Sequence, residues 1–189
     1  MGTILMEELI KIVEAEYEDY QREYYLNTIH SLTEQERNNL LALINKMRKA
    51  GSKKPFSWAI SEIKENLPQF ARFAVLRELE KINREVSKHI YYTQEYAEES
   101  DEFMALHKKV KQYLSPEELG RYLQLYTQTV TEQFISLLDE GNPRAGEPNW
   151  ALSELDSDYC HSRFINGLHE EGYISDEIDW QLIEQEDQE

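Results

Sequence analysis

The sequence predicts an all-α fold, a multi-helix bundle or a helical-repeat-like domain, and three observations carry that expectation. Apolar residues recur at spacings of three and four along most of the 189 residues, the period of helices that bury one face. Two capping boxes, Thr33 with Glu36 and Ser115 with Glu118, announce helix starts in which each side chain satisfies the other residue's free backbone N–H. Sustained period-two alternation of β-branched residues is missing, apart from two or three residues around Tyr173 and Ile174.

Taken in order, Leu5, Leu9, Ile12, Val13, Glu16, Tyr20 and Tyr24 lay one stripe along a helix expected over 3–29. A second helix follows Thr33 with Leu40, Leu41, Ile44 and Met47 facing inward, and ends at Gly51. Ser57 is the expected cap of a short third helix containing Trp58, Ile60 and Ile63, which must stop or kink before Pro68. A long fourth helix is expected over 69–97, on the stripe from Phe70 through Phe73, Leu76, Leu79, Ile82 and Val86 to Ile90. Ser100 can start the next one, using Phe103, Leu106, Val110 and Tyr113. After Ser115, with Pro116 where its missing N–H costs nothing, comes the cleanest stripe of the chain: Leu119, Tyr122, Leu123, Tyr126, Val130, Phe134, Leu137 and Leu138. DEGNPRAGEPN (139–149) reads as a loop, and short helices are expected over 150–155, 158–169 and 176–185.

SWAISEI (57–63) and NWALSEL (149–155) suggest an internal duplication. LTEQERNNLLAL (32–43) lies over LSPEELGRYLQL (114–125), and Arg72 and Phe73 lie over Arg163 and Phe164 if one residue is dropped. The expected organisation is one helical domain, 1–189, containing two pseudo-repeated halves, 1–97 and 98–189. Trp58 and Trp150 would then be equivalent packing anchors, with each indole N–H bound to a carbonyl.

Charge restricts the function classes. With 37 acidic and 20 basic residues the net charge is −17, a field that repels nucleic acid and anionic lipid and attracts basic proteins. A hydrophobic fraction of 40% with 12 tyrosines is too apolar for an unfolded chain. The single cysteine, Cys160, has no internal disulfide partner and is expected to be buried or half-buried. No zinc spacing, membrane span or signal peptide is legible, so the sequence points to a cytoplasmic protein without metal or cofactor.

Walker, dinucleotide-binding, HExxH and GxSxG motifs are absent from the sequence, as are ExxH pairs for a di-iron bundle. Arg84 to His89 spells R-x4-H and Arg163 to His169 spells R-x5-H, spacings that resemble the RX4-6H signature of HEPN-type all-α ribonucleases. That resemblance implies an imidazole as acid or base and a guanidinium on the RNA phosphate. It covers six or seven residues and stands against the charge, leaving the ribonuclease as an alternative.

The reading favoured by charge and composition is a protein-binding protein with a basic partner, an immunity-type inhibitor of a basic toxin or nuclease. A helical scaffold or homo-oligomer is the second alternative. Exposed acids beside tyrosines are the candidate contacts, because tyrosine supplies rigid contact area at low entropic cost. They are Glu14, Glu18, Asp19 and Tyr25; then Tyr91, Tyr92, Glu95 and Glu98; then Asp156 and Asp158.

Overall fold

A computed structural model describes residues 2–96, 100–141, 148–172 and 174–186. Among the described residues it contains nine α-helices, two single 3-10 turns and a two-stranded sheet, so the all-α expectation holds. The chain folds as two compact units, one of residues 1–74, 153–165 and 173–189, the other of residues 75–152 and 166–172.

The first unit begins with α1 (Gly2–Glu16) and α2 (Asp19–Ser31), where one continuous helix was expected. The break lies at Tyr17 and Glu18, and Glu18 is extended at φ −111° and ψ 153°. Carbonyls freed there find a donor in Arg22, whose guanidinium reaches the Tyr17 oxygen at 3.0 and 3.1 Å and the Glu14 oxygen at 3.4 Å. Because the helix turns, Tyr20 and Tyr24 leave the stripe for solvent, while Thr28 and Ile29 take the buried positions.

Helix α3 (Glu34–Lys49) has the anticipated capping box, and buries Leu40, Ile44 and Met47. Gly51 follows at φ +84°, and a Cβ there would come within 2.8 Å of Ile183 Cδ1. Helix α4 (Pro55–Glu65) starts at the proline rather than after Ser57, and its N-cap residue, Lys54, supplies no capping side chain. The orphan amides are satisfied from 40 residues away: Phe56 N–H donates to Glu16 Oε2 at 3.1 Å and Ser57 N–H to the Tyr17 hydroxyl at 3.1 Å. Arg48 holds the other Glu16 oxygen at 3.0 Å.

Trp58 is buried on α4 against Phe73, ring centroids 5.8 Å apart. Its indole N–H donates to the Glu177 carboxylate at 2.8 Å, where a carbonyl was expected. The backbone around Glu177 closes on the loop before α4 through Lys53 N–H to Glu177 O (2.8 Å) and Asp179 N–H to Gly51 O (2.7 Å). That segment holds a 3-10 turn (Ser175–Glu177) and helix α9 (Trp180–Glu186).

The largest departure from expectation lies in the segment after Trp150. In place of helices over 150–155 and 158–169 stand β1 (Leu152–Leu155) and β2 (His161–Ile165), paired as a hairpin. DSDY at its turn decides this: Asp156 Oδ1 accepts from Asp158 N (2.9 Å) and Cys160 N (3.0 Å), while Tyr159 adopts φ +59°. Arg163 on β2 grips Glu154 on β1 with two bonds, 2.7 and 3.1 Å, a cross-strand ion pair that a helix could not form at this spacing. WAISEI is therefore helix and WALSEL mostly strand.

In the second unit the fourth expected helix divides into α5 (Gln69–Arg84), whose first turns belong to the first unit, and α6 (Val86–Tyr96). Glu85 separates them, its carbonyl accepting from both Lys88 N (2.9 Å) and His89 N (3.2 Å). Helices α7 (Ser100–Val110) and α8 (Pro116–Glu140) complete the layer, and α8 carries the second capping box. Asn83 on α5 accepts the Thr131 hydroxyl of α8 at 2.7 Å in a buried contact. Neither α6 nor α7 has a buried residue.

Replacing Trp58 with phenylalanine keeps an aromatic ring against Phe73 but removes the bond to Glu177. We expect a loss of about 1.5–3 kcal/mol, measured by urea unfolding. A loss below about 0.5 kcal/mol, the range of a neutral surface change, would show that this bond does not hold the C-terminal segment.

Candidate functional site

At the corner where α1 meets α2, buried aromatic residues support an exposed surface of acids and tyrosines. Tyr25 packs on Tyr17 with centroids 4.6 Å apart, on Phe56 at 5.1 Å and on Tyr24 at 5.3 Å. These contacts set the middle of α2 beside the start of α4. A cleft of about 140 Å³ opens between them, lined by Tyr24, Tyr25, Thr28, Ser57, Ile60, Ser61, Lys64 and Glu65. That volume is below the roughly 300–1,000 Å³ of small-molecule sites, and suits one side chain of a partner.

At the end of α1 and along α2, Glu14, Glu18 and Glu23 are exposed, as are Tyr20 and Tyr24. Tyr20, Glu23 and Tyr24 share one face of α2 by their three- and four-residue spacing. Asp19 opens α2. Of the first candidate group, then, Glu14 and Glu18 lie on the surface, and Tyr25 is half-buried in the cleft wall.

Below the surface, burial governs the titrating groups. Desolvation pushes the Tyr17 phenol up to about 12, against smaller opposing hydrogen bonds from the side chain and the amide of Ser57. Desolvation also raises Tyr25. Glu16 is raised by burial, with the Phe56 amide and Arg48 pulling it back.

The other candidates are dispersed. Tyr91, Tyr92 and Tyr96 form an exposed ladder on α6, with successive centroids 5.8 and 5.9 Å apart, and Glu95 is exposed beside them. Glu98 lies outside the described residues. Asp156 is spent on the hairpin turn, while Asp158 is exposed. Trp150, expected in a helix as the counterpart of Trp58, instead precedes β1 in irregular chain; it is 45% exposed, with its indole N–H on Leu137 O at 3.0 Å. Cys160 is exposed, not buried, because it sits on the hairpin turn.

The helix expected to present Arg84 and His89 is interrupted between them at Glu85. Arg163 is occupied by Glu154 and by Glu62, the latter at 2.8 Å. His169, in the 3-10 turn Leu168–Glu170, has its Nδ1 2.8 Å from Asp139 Oδ2, and the same oxygen accepts the His169 amide at 2.9 Å. This contact closes the short segment 166–172 onto the end of α8, with Leu168 buried. Among the described residues no group of three or more His, Cys, Asp or Glu side chains is arranged to hold a metal ion, and no helix is long and apolar enough to cross a membrane.

Sequence reasoning passed over Glu62 and Glu177, and read Glu16 only as a stripe position and Arg163 only as a motif and repeat residue, although all four tie α4 to neighbouring segments. Comparison of the chain with protein-family models, with curated proteins and with solved structures finds no match.

The Tyr17 shift has a sign that can be measured. An unfolded phenol ionises near 10 and the folded one near 12, so folding retains a proton in between. The stabilisation is whole below pH 10 and is lost as pH rises through about 12. Absorbance titration of the phenolates should show a late-ionising tyrosine that disappears in Tyr17→Phe. If every tyrosine ionises together near 10 in the folded protein, the phenol is not buried as described.

Proposed function

We propose that this protein works by binding another protein, one with a basic surface, through the corner of α1 and α2. The observation that carries the reading is a cleft of side-chain size lined by Tyr24 and Tyr25, with exposed Tyr20 and Glu23 on the same face of α2 as Tyr24 and exposed Glu14 and Glu18 where α1 gives way to α2. Carboxylates on a rim attract a cationic partner and speed its capture, while tyrosines beside them provide contact area that is already ordered. The cleft itself suits a lysine or arginine side chain. Tyr24 and Tyr25 supply aromatic lining, and Glu65 beside Lys64 supplies a carboxylate for which an incoming cation would compete. The net charge of −17 extends the same attraction over the whole chain. An inhibitor of immunity type, set against a basic toxin or nuclease, is the specific form of this activity we favour.

The test is recovery of a partner from the native host's lysate on the wild-type chain, followed by kinetics with the purified pair. The triple substitution Glu14→Gln, Glu18→Gln and Glu23→Gln should slow association roughly tenfold or more, and added salt should slow the wild type similarly. Tyr24→Ala should speed dissociation. A partner that is acidic, or one that binds the triple variant as fast as the wild type, would exclude this site.

A further inference from the structure

The stripe on α8 that is cleanest in the sequence is not used by the fold in the way its pattern anticipates. Helix α8 buries Leu119 and Thr131. Along the same helix Tyr122, Leu125, Tyr126, Phe134 and Leu137, with Trp150 fixed on the Leu137 carbonyl, remain between 45% and 62% exposed. From Tyr122 to Leu137 this row runs roughly 22 Å at 1.5 Å per residue. It is long, apolar and open.

We infer that this face is the contact between two copies of the chain, packed antiparallel about Val130. Three features select a second copy as the occupant. First, the stripe is nearly free of charge: between Arg121 and Asp139 the only charged residue is Glu132. Two molecules that each carry −17 can approach only where carboxylates are sparse, whereas a basic partner would find little to pair with here.

Second, the row is its own complement. Tyr122, Tyr126, Val130 and Phe134 succeed one another at four-residue steps and Leu137 continues them. In an antiparallel pair centred on Val130, Tyr126 meets Phe134 of the second copy, and Tyr122 comes level with its Leu138, next to Leu137, twice over, as a twofold contact requires. The β-branched Thr129 and Val130 at the centre are short enough to let the helices approach. Third, the area suffices. Five large side chains, Tyr122, Tyr126, Phe134, Leu137 and Trp150, with roughly 100 Å² still open on each offer about 500 Å² per copy, or about 1,000 Å² for the pair, the size expected of a specific interface.

This contact lies on the second unit and is independent of the α1 and α2 corner. Sedimentation equilibrium of the full chain should give twice the 22.5 kDa chain mass, with little response to salt. Tyr126→Glu should weaken the dimer at least 100-fold without loss of helicity, and Tyr126→Phe should keep it. A wild-type monomer at every attainable concentration, or a dimer that survives Tyr126→Glu, overturns the inference. Should Tyr126→Glu fail to fold, Val130→Cys with Cys160→Ser decides. Mild oxidation should link the two copies through the new thiols, and a product that remains monomeric refutes the arrangement.

Discussion

The capping of α4 by the end of α1 is the constraint on which the first unit depends. A helix that begins Lys-Lys-Pro-Phe has no side chain of its own to satisfy its leading amides, and buried amides without acceptors cost about 1–3 kcal/mol each. Glu16 and Tyr17 provide those acceptors. To do so α1 must stop at that point, so the chain turns and α2 departs in a new direction. The exposed tyrosines of the proposed binding corner are a consequence of that turn.

From α4 the order spreads to three other segments of the unit. Trp58 holds the C-terminal segment through Glu177. Glu62, near the other end of α4, caps α5 by accepting Phe70 N–H at 2.8 Å and holds β2 through Arg163. One short helix thus fixes α1, the first turns of α5, the hairpin and the terminal segment, each by a hydrogen bond to a charged or phenolic group. The second unit is organised differently. Its helices α6 and α7 bury no residue, and α8 leaves half of its apolar stripe exposed, the surface we propose for self-association.

Much of the helical content was legible because periodicity and capping boxes are local signals. Thr33, Glu36, Ser115 and Glu118 act as the sequence indicates. The breaks at Tyr17 and Glu85 were not legible, since neither contains proline or glycine, and the first is imposed by a helix 40 residues away. Two signs of it were nonetheless present: a glutamate, Glu16, on an otherwise apolar stripe, and a proline-started helix without a capping residue before it. The hairpin was missed for another reason. Likeness of NWALSEL to SWAISEI favoured helix, while Asp156, Ser157 and Asp158 already spelled a turn. As for the proposed binding corner, Glu14 and Glu18 were picked from composition, but the cleft lined by Tyr24 and Tyr25 depends on α2 lying beside α4 and could not be read from the sequence.

Amide hydrogen exchange at Phe56 and Ser57 tests the central claim most directly. In the wild type both amides should be protected to the level of the core of α4, because each is bound to a side chain at the end of α1 or just beyond it. Glu16→Ala should release Phe56, Tyr17→Phe should release Ser57, and each should lower unfolding stability by about 1–3 kcal/mol. Protection that persists at both amides in the double variant would contradict the account, for it would mean that α4 is capped from elsewhere.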